Sequence, residues 1–136
     1  MKKEIIQSSK IGGTYSKTTC HATKAGGFVF VTGQIANKPG TAPAATPHEL
    51  VELGTLEEQT VQILENIKAI LEEAGTSLDN VVKRNVYLTN NAEFSQVYKV
   101  FERYFPSRVA STGVIAGLVP PSSRLEIDVI AVVPDK

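Results

Sequence analysis

Two amphipathic stretches of helical period, residues 56–74 and 94–105, flank one β-branched run, and this alternation limits what the chain can fold into. The first opens on Thr55-Leu56-Glu57-Glu58, a capping-box pattern in which hydroxyl and carboxylate each accept a hydrogen bond from a backbone N–H left free at a helix start. Leu56, Ile63, Leu64, Ile67, Ile70, Leu71 and Ala74 recur at three- and four-residue spacing, which predicts one buried face, and Gly75 supplies the stop. Val81 to Thr89 is β-branched and bounded by Asp79-Asn80 and Asn90-Asn91, as a strand between turns is. Asn90-Asn91-Ala92-Glu93 offers a second N-cap. Phe94, Val97, Tyr98, Phe101, Tyr104 and Phe105 then keep helical spacing until Pro106. That aromatic stripe reads as core packing against a sheet rather than as a cofactor site.

The remaining segments are strand-like. Thr18 to Thr23 and Phe28 to Gln34 are joined by Lys24-Ala25-Gly26-Gly27, which predicts a hairpin. Residues 36–54 carry Pro39, Gly40, Pro43 and Pro47 without periodicity and read as a long surface loop. Val109 to Ala116 and Arg124 to Val133 form two closing strands. In the last, Leu125, Ile127, Val129, Ala131 and Val133 alternate with Arg124, Glu126 and Asp128. The expected fold is α+β, a mixed sheet with both helices on one face. The final strand becomes apolar on both sides from Ile130 onward, which predicts that its far face is covered by another subunit.

The chain has 136 residues, enough for a single domain spanning 1–136. Fourteen basic and fourteen acidic residues cancel, and no basic block is present, which argues against nucleic acid as a partner. Met1 to Ser9 never reaches the apolar run of a signal peptide, no stretch reads as a membrane span, and the expected location is the cytoplasm. The lone Cys20 fits a reducing compartment. His21 and His48 lack the clustered partners of a zinc site, so no metal is expected. Cys20 and His21, as neighbours on a strand, point to opposite faces and do not form a nucleophile–base pair. Gly12-Gly13 and Gly26-Gly27 precede no helix in a phosphate-binding pattern.

A small polar set remains beside apolar strands: Thr32-Gly33-Gln34, Arg108 and Glu126. These residues suit a shared pocket. Each also has an ordinary reading, as a strand end for Thr32, a surface ion pair for Arg108 and a water-facing acid beside Arg124 for Glu126.

Taken in order, several segments resemble the RidA/YjgF reactive intermediate deaminase family along nearly the whole chain. Gly13-Thr14-Tyr15-Ser16 resembles its Gly-Pro-Tyr-Ser segment, and Phe30-Val31-Thr32-Gly33-Gln34 its strand ending in Ser-Gly-Gln. Gln59-Thr60, Asn66-Ile67 and Ala74-Gly75 resemble its Gln-Thr, Asn-Ile and Ala-Gly pairs, and Asp79-Asn80-Val81-Val82-Lys83 follows in register. Phe94, Tyr104-Phe105, Pro106-Ser107-Arg108 and Glu126-Ile127-Asp128 complete the series.

The resemblance implies the fold of bacterial chorismate mutase, a homotrimer with ligand pockets between subunits, and no cofactor. It implies hydrolysis of small carboxylate-bearing enamines and imines, such as 2-aminoacrylate, to keto acids and ammonia. Arg108 is then the carboxylate clamp, since a guanidinium offers two parallel hydrogen bonds. Thr32 holds the attacking water and Glu126 orients or deprotonates it. Gly33 and Ala110 belong to the substrate-binding set, and Tyr15 closes over the ligand. Three positions depart from the family pattern: Thr14 replaces proline, Ala110 the common cysteine, and Tyr98 the usual asparagine of the second helix. The competing reading is a trimeric module that binds small carboxylates without turnover. Ribonuclease activity, described for some relatives, ranks below both on charge, and a chaperone role leaves no mark in the sequence.

Overall fold

The computed structural model describes residues 1–14, 16–40, 52–90 and 93–135. Its elements run β1 (Glu4–Ile6), β2 (Ala22–Ala25), β3 (Phe28–Gln34), α1 (Leu56–Glu73), a 3-10 turn (Leu78–Asn80), β4 (Val81–Leu88), α2 (Phe94–Tyr104), β5 (Ala110–Ile115) and β6 (Leu125–Val132). The six strands form one sheet in the order β1-β2-β3-β6-β4-β5, with β4 and β5 parallel and every other pair antiparallel. This is the expected mixed sheet with two helices.

Helix α1 begins where the capping box puts it. Thr55 Oγ1 accepts from the Glu58 N–H at 3.2 Å, and Glu58 Oε1 accepts from the Thr55 N–H at 3.0 Å. These bonds hold the exposed Glu58 carboxyl below the usual glutamate range. Past the helix end, Gly75 takes φ +85°, the left-handed conformation that suits glycine. Ile63, Leu64, Ile67, Ile70 and Leu71 are completely buried, packed with Val29 and Val31 of β3 and with Leu125, Ile127, Val129 and Ala131 of β6. Val97, Val100 and Phe101 of α2 join the same core. In β5, Gly113 leaves room for the Phe94 ring, which occupies the position a side chain would take.

The hairpin is tighter than expected. Lys24 and Ala25 belong to β2, and the turn is Gly26-Gly27 alone, at φ +58° and +83°. Residues 18–21 are not strand, because local hydroxyl bonding competes there: Thr18 N–H donates to Ser16 Oγ at 3.1 Å and Thr19 Oγ1 to the Ser16 carbonyl at 3.1 Å. Strand β1 escapes sequence reading because three residues show no period. Its Ile6 is buried, and Glu4 pairs across to Lys24. At the second helix, positions 91 and 92 of the expected cap lie outside the described residues. Glu93 makes no side-chain cap; its carboxylate pairs instead with Arg124. Part of the 36–54 loop, residues 41–51, also lies outside the described residues. No helix among the described residues is long and apolar enough to cross a membrane.

Replacing Thr55 with alanine lowers the unfolding free energy by about 1 kcal/mol in urea denaturation. Because the cap is reciprocal, Thr55→Ala and Glu58→Ala together cost less than the sum of the single changes. Strict additivity contradicts a two-way cap.

Candidate active site

The period of two along each strand sorts the polar residues. On β6, Leu125, Ile127, Val129 and Ala131 face the helices, so Glu126 and Asp128 lie on the open face with Ile130 and Val132. On β3, Phe28, Phe30 and Thr32 are on that same face, and on β4 Lys83, Asn85 and Tyr87. Phe28 and Phe30 remain 43% and 44% exposed, a larger apolar area than a solvent-facing sheet needs.

Glu126 bends over β3. A methyl group built on Gly33 would sit 2.5 Å from Glu126 Oε2, so glycine at 33 leaves the room in which the carboxylate lies. Burial pushes the Glu126 pKa above the usual glutamate value, and the nearby Asp128 charge adds to the shift. Asp128 itself accepts from Asn85 Nδ2 at 2.8 Å. Thr32 Oγ1 donates to the Cys20 carbonyl at 2.6 Å, which spends its proton and leaves oxygen lone pairs for an incoming donor.

Thr32 and Gly33 also line a cavity of about 70 Å³, with Gly12, Gly13, Thr14 and Asn66 on its other walls. Its shape is held by two buried polar side chains that sequence reading did not connect to the site. Asn66 Nδ2 donates to the carbonyls of Asn37 at 2.9 Å and Ile35 at 3.4 Å, pinning the chain that leaves β3. His21 accepts from the Ser8 N–H at Nδ1, 3.0 Å, and its Nε2 lies 2.8 Å from the Gly12 carbonyl, so Nε2 carries the proton. One ring nitrogen therefore holds the chain at Ser8 and the other fixes the glycine segment. Tyr15, the expected cover, lies outside the described residues.

Arg108 and Ala110 lie elsewhere on the chain. Ala110 is level with Lys83 at the start of β5, whereas Glu126 is level with Tyr87. Four residues of rise, about 13 Å, separate them along the strands, and Arg108 is two residues further back. Arg108 is exposed and lines a different cleft, of about 350 Å³, with Arg84, Tyr98, Phe105, Ser107 and Val109 among its walls. One chain thus groups Thr32, Gly33 and Glu126, and separately groups Arg108 with Tyr98. Arg124, the expected neighbour of Glu126, is paired with Glu93. Among the described residues no three His, Cys, Asp or Glu side chains are grouped as metal ligands.

The displaced Glu126 titration has a sign that stability measurements read. The folded chain binds this proton more tightly than the unfolded chain. Stability is therefore fully present below the ordinary glutamate pKa and is lost as pH rises through the raised native value. Glu126→Gln, neutral at every pH, is expected to be more stable than the parent protein at neutral pH. In urea melts the advantage disappears below the ordinary glutamate range; a pH-independent difference contradicts the desolvated acid.

The family model described as endoribonuclease L-PSP matches residues 9–133. A RutC family protein of Pyrococcus abyssi is 41% identical over 135 residues, covering 96% of this chain and 98% of its own. The crystal structure of RidA from an Antarctic Psychrobacter superposes with a TM-score of 0.82 at 34% identity, over 95% of this chain and 98% of that one. Escherichia coli TdcF with bound serine superposes at 0.76 with 29% identity, over 95% and 98%. With the family model matched over most of the chain, a relative 41% identical along nearly its whole length and a solved RidA structure superposing closely, the chain belongs to the RidA/YjgF family, which carries the endoribonuclease L-PSP description.

Proposed function

We propose that this protein hydrolyses small carboxylate-bearing imines, and enamines through their imine tautomers, to 2-keto acids and ammonia without a cofactor. The observation that carries the reading is the Glu126 carboxylate, half-buried, raised in pKa and laid over Gly33, the residue that follows Thr32 on β3. An acid tuned upward from its ordinary range works as a base closer to neutral pH.

The reaction joins this acid to Arg108, and since one chain holds them apart, the site is completed by a second copy in a homotrimer. The exposed Phe28 and Phe30 on the open face favour that assembly, as does β5, exposed along its whole length and, among the described residues, paired on one side only. Arg108 grips the substrate carboxylate through two parallel hydrogen bonds. A water donating to Thr32 Oγ1 adds to the C=N carbon while Glu126 takes its proton. Glu126 returns that proton to the nitrogen to give the carbinolamine, whose hydroxyl proton then moves to the nitrogen as the C–N bond breaks, so that ammonia leaves and the C=O of the keto acid forms. Tyr15 and Ala110 complete the binding set, with one domain of residues 1–136 supplying each half. A cytoplasmic setting, alongside pyridoxal-phosphate enzymes that release such imines, belongs to the same proposal.

A second reading is a carboxylate-binding module without turnover, favoured by the serine bound to TdcF. The ribonuclease name of the family model draws little support from a chain whose fourteen basic residues are matched by fourteen acidic ones.

A coupled assay, in which a serine dehydratase generates 2-aminoacrylate, separates these readings. Deaminase activity accelerates pyruvate release; an unchanged rate with and without the protein rejects it. Glu126→Gln is expected to keep keto-acid binding and lose roughly 100-fold or more in turnover. Arg108→Lys loses most activity through weaker substrate binding, because one ammonium cannot reproduce the planar two-point grip.

A further inference from the structure

Along the helix-facing side of β4, the aliphatic row of Leu88 and Val86 continues into an arginine. Arg84 is only 9% exposed. Its guanidinium carbon lies 4.4 Å from the Phe101 ring centroid, 4.7 Å from that of Phe105 and 5.4 Å from that of Tyr98. Nε donates to Ser111 Oγ at 3.0 Å, and the same hydroxyl lies 3.4 Å from the Tyr98 hydroxyl. Among the described residues, no carboxylate comes within ion-pairing distance of it.

A guanidinium stays charged at neutral pH, and burying it without an anion is costly. Three ring faces offset part of that cost, since each presents its negative π surface to the cation. They also fix the side chain, so that binding an anion there orders little that is not already ordered. Desolvation pulls the Arg84 pKa down, in the direction expected of a cation short of a counter-charge. The group is not sealed in the core: it forms part of the wall of the cleft that also holds Arg108. Glu102 lines this cleft too, but it forms no ion pair with either arginine among the described residues.

We propose that Arg84 is a specificity residue that supplies a second anion site beside Arg108, so that this protein prefers imines and keto acids carrying two acid groups over monocarboxylates. The inference rests on the reading of Arg108 as the carboxylate clamp. One acid group occupies Arg108, the other reaches Arg84, and the connecting carbons pack on Tyr98 and Phe105. Tyr98, which stands where the family usually has asparagine, then serves as both wall and support for Arg84.

Calorimetric titration of the whole protein with 2-oxoglutarate and with 2-oxobutyrate tests this. The ratio of the two dissociation constants is expected to favour the dicarboxylate by about tenfold or more in the parent protein, and to collapse toward one in Arg84→Met. Arg84→Lys keeps the charge without the fork and falls between. A parent ratio near one overturns the proposal whether or not the variants fold, and so does a ratio retained in folded Arg84→Met. The titration uses keto acids and needs no turnover, so a failure of imine hydrolysis leaves it readable. Arg108→Ala that leaves both affinities intact strikes the clamp reading instead.

Discussion

Packing α1 onto β3 and β6 decides the direction of every other side chain in the sheet. Ile63, Leu64 and Ile67 fill one layer with Val29, Val31, Ile127 and Val129, and none of these tolerates solvent. Once that row is fixed, the alternation of strands sends Glu126, Asp128 and Thr32 to the opposite face. A slip of one residue in β6 would bury Glu126 against α1 and expose Ile127, so the hydrophobic core and the position of the acid are one constraint. The buried polar residues of α1 extend the same control into loops. Gln59 Nε2 donates to the carbonyls of Gly54 and Ser122, and its Oε1 accepts from the Arg124 N–H, tying the entry of β6 to the helix start.

Charge is distributed in a complementary way. Glu126 sits half-buried with another acid, Asp128, as its electrostatic neighbour. At the far end of the sheet two arginines share a cleft, and neither forms an ion pair among the described residues. An acid with raised proton affinity and a cleft with unpaired guanidiniums are what a site divided between two copies would present before assembly. The proposed assembly would cover the apolar outer face of β3 and the edge of β5 that no other described strand pairs with.

Periodic features were readable from the sequence. The first residue of α1, its reciprocal cap and the glycine stop follow from Thr55, Glu58 and Gly75, because local hydrogen bonds and backbone conformation decide them. The alternation of β6 likewise placed Glu126 on the face away from the helices. Where local hydroxyl bonding competes, the pattern misled: Thr18 and Thr19 look β-prone yet bond Ser16 in a turn. The burial of Arg84 was invisible, since nothing in the β-branched pattern of Val81 to Thr89 distinguishes an arginine that is covered from one that faces water. Only the convergence of three rings from α2 and its end, together with Ser111 from β5, reveals that it is buried. The separation of Arg108 from Glu126 was equally hidden, because it depends on strand register rather than on any residue's identity.

The central claim is that the acid and the guanidinium act together across two copies of the chain. Mixing Arg108→Ala and Glu126→Gln proteins, unfolding them together and refolding them as mixed oligomers tests it most directly. Sites built between copies regain one intact Arg108–Glu126 pair wherever the two variants adjoin in the right order. Imine hydrolysis then returns to about a quarter of the parent rate for random equal mixing. Mixed oligomers as inactive as either variant alone would contradict the account.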